Sequence, residues 1–162
     1  MIIDGQTYTQ AVEGARRMDT GNGIRFASPE HRDFYSGRAQ ALKPDVCLKA
    51  LIYTLGLCDD TRRRLDSIYD VKGRTINPET IHAPWQTGSS LKACRLAFNL
   101  FNDGVPTVSY DGAPGIGDMN ECKLYSASDI FCCSFAPYFF EAIRIRYPEY
   151  AAHLRRECGE NG

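Results

Sequence analysis

Histidine and cysteine are the side chains through which a small soluble chain most readily does covalent or metal chemistry. This sequence has three histidines, at 31, 82 and 153, and seven cysteines, at 47, 58, 94, 122, 132, 133 and 158. A zinc-type site would want a Cys-x-x-Cys pair or two histidines a few residues apart, and neither spacing occurs. A thiol nucleophile would need an imidazole within hydrogen-bond reach, and His82 with Cys94 is the pair that a fold could assemble. His31, beside Glu30 and Asp33 in the first turn of a helix, reads as solvated or capping. His153 falls on an exposed C-terminal helix. Cys47, Cys94 and the Cys132-Cys133 pair have apolar neighbours and read as small buried hydrophobes. No catalytic residue, metal ligand or cofactor is assigned, and the reading leans away from an enzyme.

The second candidate chemistry is anion binding. Gly88-Ser89-Ser90 would present backbone N–H groups and two hydroxyls at a helix start. Trp85, Gln86 and Thr87 precede it, and Lys92 and Arg95 follow within two turns. No lysine follows the glycine directly as in a phosphate loop. Capping by Ser89 or Ser90, with Trp85 packed in the core, therefore competes with an anion site. Basic clusters stand at Arg16-Arg17, Arg62-Arg63-Arg64, Arg144/Arg146 and Arg155-Arg156. Pairs such as Arg62–Asp66 at i, i+4 should mute the triplet. Residues 1–81 carry 12 basic and 11 acidic side chains, and 82–162 carry 7 and 9, so neither half has the asymmetry of a nucleic-acid face.

The elements that would position these groups are mostly helices. Ser28-Pro29-Glu30 starts one, with a hydroxyl cap and proline at the first position, and it should end near Leu42. Asp45 starts a second, almost continuously apolar helix that Gly56 stops, which predicts a central, buried position. Asp59-Asp60-Thr61 opens a third, running through Leu65, Ile68 and Tyr69 to a turn at Lys72-Gly73-Arg74. Asn77-Pro78-Glu79 caps a short helix that ends before Pro84. Leu91, Cys94, Phe98 and Phe101 mark one stripe of the next, closed by Asn102-Asp103-Gly104. Residues 105–119 turn rich in Gly, Pro and Asp and read as a long surface loop holding at most a short strand or hairpin. Ser126 caps a further helix that Pro137 should kink or split, and a last one runs from Pro148 to about Glu157. The expectation is a mostly α, compact single domain of about six to eight helices over 24–162. Residues 1–23, with a helical candidate at Thr9–Met18, form an N-terminal extension.

At 162 residues the chain fits one domain, and 43% apolar with 24% charged residues is ordinary for a globular protein. A formal charge of -1 argues against a cationic nucleic-acid coat. The start, Met1-Ile2-Ile3-Asp4, does not resemble a signal peptide, and no stretch approaches the ~18 apolar residues of a membrane span. A cytoplasmic protein without membrane contact, its seven thiols reduced, is expected.

Several strings then recur in one order: Phe26-Ala27-Ser28-Pro29-Glu30-His31, Leu51-Ile52-Tyr53-Thr54-Leu55-Gly56, Trp85-Gln86-Thr87-Gly88-Ser89, Arg95-Leu96-Ala97-Phe98 and Arg146-Tyr147-Pro148-Glu149-Tyr150. Across residues 24–150 the chain resembles an uncharacterised family of small proteins from clostridial gut bacteria and their prophages or mobile elements. The resemblance implies an accessory protein that binds a host protein or ribonucleoprotein, such as an inhibitor of a host defence system of the CRISPR type. Arg62, Arg63, Tyr110 and Arg155 are the expected contacts, of residue types common at interface hot spots. The alternatives are a nucleic-acid or nucleotide binder that uses Trp85, Gln86, Thr87, Ser89 and Arg95, and a small Cys/His enzyme. The oligomeric state is left open.

Overall fold

The computed structural model describes residues 2–3, 6–7, 23–105 and 119–151. Near the N-terminus, β1 (Ile2–Ile3) pairs antiparallel with β2 (Gln6–Thr7). The Thr9–Met18 helix, the interior of the 105–119 loop and the end of the last helix lie outside the described residues. The remainder is mostly helical, as the capping and apolar patterns predict.

Helix α1 (Pro29–Leu42) begins where expected, with Ser28 accepting the His31 N–H. Asp45 caps α2 (Val46–Gly56) by accepting the Leu48 N–H at 2.9 Å. Ala50 through Gly56 are all buried, because α1, α5 (Gly88–Asn102) and α8 (Ala136–Arg146) pack around this helix. A helix surrounded in this way has no polar face to offer, which accounts for its nearly uninterrupted apolar sequence. Gly56 is needed for a close approach. A Cβ there would lie 2.7 Å from His31 Cδ2 and 3.1 Å from Phe34 Cδ1.

The third expected helix divides. It forms α3 (Asp59–Arg63) and α4 (Leu65–Ile68), with Arg64 leaving helical geometry between them. Tyr69 does not continue it but opens a hairpin, β3 (Tyr69–Asp70) against β4 (Thr75–Ile76), in the register Tyr69↔Ile76. A short 3-10 turn follows at Pro78–His82. Asp103, in left-handed geometry with φ 54, ends α5. Its carboxylate accepts from Arg146 Nη2 at 2.7 Å, while Arg146 Nε donates to the Leu100 carbonyl at 2.8 Å. One side chain thus satisfies the end of α5 and ties it to the end of α8.

After α6 (Met119–Lys123), a helix that the composition does not announce, Ser126 caps α7 (Ala127–Phe131). Pro137 splits the segment as expected, since proline is tolerated only in the first turn of a helix, and α8 starts at Ala136. Tyr147 breaks helical geometry before α9 (Pro148–Ala151). No helix among the described residues is long and apolar enough to cross a membrane.

Candidate functional site

The three histidine and cysteine readings resolve differently. His31 is not solvated: it is fully buried among Phe26, Tyr35 and Tyr53. Its Nδ1 accepts the Ala27 N–H at 3.2 Å and its Nε2 lies 2.8 Å from the Tyr53 carbonyl, to which it donates. Burial drives the imidazole toward its neutral form, with a pKa lowered to about 4. The sequence places His31 in the first turn, but α1 packs that turn inward on α2.

His82 is exposed at the end of the 3-10 turn, whereas Cys94 is buried in α5. The polar neighbour of Cys94 is the Gln86 amide, 3.5 Å from the sulfur, and burial pushes the thiol up to about 12. A thiol so held is a poor nucleophile. Among the described cysteines all six are free; Cys94 and Cys133 are buried, but Cys47 is only partly so and Cys132 is exposed. Cys132 faces outward because it ends α7 rather than lying within a helix. The described residues contain no group of three His, Cys, Asp or Glu able to hold a metal ion.

The start of α5 is built by reciprocal capping, with Thr87 rather than Ser89 or Ser90 as the cap. Thr87 Oγ1 accepts the Ser90 N–H at 3.2 Å, and Ser90 Oγ accepts the Thr87 N–H at 2.7 Å. Ser90 also donates to Gln86 Oε1 at 2.6 Å, and Gln86 Nε2 donates to the Thr80 carbonyl at 2.9 Å. Beside this start lies a cavity of about 200 Å³ lined by Thr87, Gly88, Ser89, Lys92, Cys132 and Cys133. Lys92 donates to the Cys132 carbonyl at 2.5 Å, which fastens α5 to the end of α7.

Arg95 does not join that cavity. Six residues beyond Ser89 it sits about 240° around the helix, while Lys92 at i+3 shares the face of Ser89. Arg95 points inward and grips Glu121 with two bonds, Nε to Oε1 at 2.7 Å and Nη2 to Oε2 at 3.2 Å, both side chains about nine-tenths buried. Trp85 is half-buried beneath the Arg64 guanidinium, 4.9 Å from the ring centroid.

The arginine triplet diverges. Arg62 is mostly buried and donates from Nη1 to the Gly56 carbonyl at 2.6 Å, satisfying the end of α2. Arg63 is exposed and pairs with Asp59 at 2.6 Å, and Arg64 pairs with Asp60 at 3.1 Å. The expected Arg62–Asp66 pair does not form, because α3 ends before Asp66 and the arginines reach back to acids of the preceding turn. Of the expected interface residues, Arg62 is withdrawn as a helix cap and Arg63 remains exposed. Tyr110 and Arg155 lie outside the described residues.

A further surface feature was not singled out by the sequence reading. Along α8 and α9, Phe140, Ile143, Arg144, Tyr147, Tyr150 and Ala151 line an open apolar groove of about 310 Å³. Phe140 is 55% and Tyr150 73% exposed, high values for large aromatic side chains. Phe139 and Ala142 fill the opposite face of α8 and belong to the core. The sequence offered one hint, the adjacent pair Phe139-Phe140: on a helix that packs on one side only, neighbours about 100° apart are not both at the centre of the buried face. Arg144 Nη1 donates to buried Glu141 at 2.9 Å, but the Arg144 Nε–H is buried with no acceptor. An orphaned donor of this kind is rare in a finished interior.

Residues 21–158 match the model of a family of unknown function, DUF6075, and the chain belongs to that family. No curated protein and no solved structure matches the chain.

Proposed function

We propose that this member of the DUF6075 family is a non-enzymatic accessory protein that acts by occupying a surface on a protein or ribonucleoprotein partner, and that it docks through the α8–α9 groove. The observation that carries this reading is the groove itself, where exposed Phe140 and Tyr150 flank Ile143 and Tyr147 on a face that nothing in the described chain covers. Aromatic and arginine side chains gathered around an apolar centre are the composition of interface hot spots. The buried, neutral Cys94 thiol and the diverging arginine triplet favour this reading over an enzyme or a nucleic-acid face. The resemblance to proteins of clostridial prophages and mobile elements extends the proposal: the partner is a host defence complex, such as a CRISPR effector, met in the cytoplasm.

Tagged protein expressed in a clostridial host should recover one dominant partner near stoichiometry, with recovery unaffected by nuclease. Tyr150→Glu should abolish recovery, and His82→Ala should leave it unchanged. Partner recovery unchanged by Tyr150→Glu overturns the assignment of the groove, and biological activity lost in His82→Ala with binding retained points to an enzyme.

A second reading rests on the cavity at the start of α5, where a helix N-terminus with Ser89 and Lys92 would suit a phosphate. It predicts a salt-sensitive shift of bare oligonucleotide or nucleotide that Ser89→Ala weakens. The commitment of Lys92 to the Cys132 carbonyl and of Arg95 to Glu121 leaves that site fewer charges than the sequence suggests.

A further inference from the structure

We propose that the occupant of the α8–α9 groove is an amphipathic helix of the partner, carrying an Asp or Glu beside its apolar stripe to meet Arg144. The inference rests on the protein-binding reading above and names the form and charge of what binds.

The form follows from spacing. Phe140, Ile143, Tyr147 and Tyr150 are separated by three, four and three residues, the alternation of a helix–helix seam in which knobs of one helix enter holes of the other. Although Tyr147 interrupts the helical backbone, the four side chains line one groove. A strand-like peptide would need a free sheet edge for its backbone bonds, and α8 and α9 supply none. A helix brings its backbone already satisfied and needs only side-chain contact.

The charge follows from Arg144, the single charged residue among the described ones that line the groove. Glu141 engages only Nη1 and does so from the buried side. The Nε–H is buried without an acceptor, but part of the Arg144 side chain stays exposed at the groove, where it can give a charge-assisted bond to a carboxylate seated there. Among the described residues no carboxylate lines the groove. A second copy of the chain would bring another Arg144 to the same seam and, among the described lining residues, no acid to meet either one. A partner helix with a flanking carboxylate supplies what the site lacks.

The test pans a display library of helical peptides of about 18 residues, long enough to span the seam, with a fixed three–four leucine stripe and random flanking positions, against the full chain. Enriched peptides should carry Asp or Glu next to the stripe and gain helicity on binding by circular dichroism. Replacing that acid by Gln should weaken binding about tenfold or more by fluorescence anisotropy, as for a partly buried charged bond. Tyr150→Glu should abolish binding, and Arg144→Lys, which keeps the charge but loses the fork, should weaken it less than the Gln peptide does. The comparison of the acid with the Gln peptide uses the unaltered chain, so misfolding does not enter it. Peptides that bind through Tyr150 but are indifferent to the acid, or bind extended, overturn this inference and leave the protein-binding reading standing. Failure to select any peptide sensitive to Tyr150→Glu overturns both. A concentration-dependent dimer abolished by Tyr150→Glu assigns the groove to a second copy and overturns the inference. Peptide binding that appears only after residues 152–162 are deleted assigns it to the chain's own terminus, with the same consequence.

Discussion

Two arginine–glutamate pairs of this small domain are built to different standards. Arg95 and Glu121 bind each other through two bonds, with both side chains closed off from water. Arg144 reaches Glu141 through one bond, while its Nε–H is buried without an acceptor at the lip of an apolar groove. The first pair joins α5 to α6 and is complete within the chain. The second sits where Phe140 and Tyr150 are left in solvent. Proteins seldom leave both an orphaned donor and exposed aromatic rings in one place unless something else completes them. On the proposed reading, the first site serves the fold and the second a partner.

The contrast breaks most visibly under substitution of the two arginines. Arg95→Ala should leave Glu121 buried and uncompensated, with a loss of about 3–5 kcal/mol, read as a large fall in the urea midpoint. Arg95→Lys keeps the charge but cannot make the two-bond grip, and should lose about 2 kcal/mol. Arg144→Lys retains a cation for Glu141 and removes the orphaned N–H, so stability should stay within about 0.5 kcal/mol of the parent. Equal losses for the two lysine variants would erase the distinction.

The next effect sets the buried polar core against the surface through pH. His31 titrates near 6.5 when unfolded and near 4 when folded, because burial disfavours the imidazolium. Between those values the unfolded chain holds a proton that the folded chain lacks, so acid favours unfolding. Stability from this group is complete above pH 6.5 and is lost as pH falls to about 4, by about 3 kcal/mol in all. Urea midpoints across this range should show a slope that His31→Gln reduces; an unchanged slope would contradict the buried, neutral assignment.

A smaller expectation concerns the thiols. Alkylation of the native protein should label exposed Cys132 first, and Cys94 and Cys133 only on unfolding. Rapid labelling of Cys94 would show that the core around α5 opens.

Much of the helical framework was legible because local chemistry dictates it. Ser28-Pro29, Asp45 and Ser126 cap the helices they were expected to cap, and Pro137 splits its segment. The hairpin at Tyr69–Ile76 was not legible, since Leu65, Ile68 and Tyr69 keep helical spacing and the break at Arg64 comes from pairing with Asp60 and stacking on Trp85. The same limit governs the candidate sites. The cavity at Gly88-Ser89 falls within a segment marked by its residue types, but the direction of Arg95 depends on where Glu121 lies, which no local pattern encodes. His31 was misread because only the packing of α1 on α2 decides which way the first turn faces. The α8–α9 groove was missed because an apolar stripe on a helix reads as core until the opposite face is known to be filled.

The most direct test of the account is Tyr150→Glu, measured in parallel for stability and for partner recovery. Tyr150 is 73% exposed, and among the described residues its ring neighbour is Tyr147 at 6.4 Å. The account predicts a urea midpoint equivalent to within about 0.5 kcal/mol of the parent, as for a surface substitution, together with loss of the partner. A fall of about 2 kcal/mol or more, with partner binding retained in the fraction that stays folded, would show that the groove belongs to the fold and contradict it.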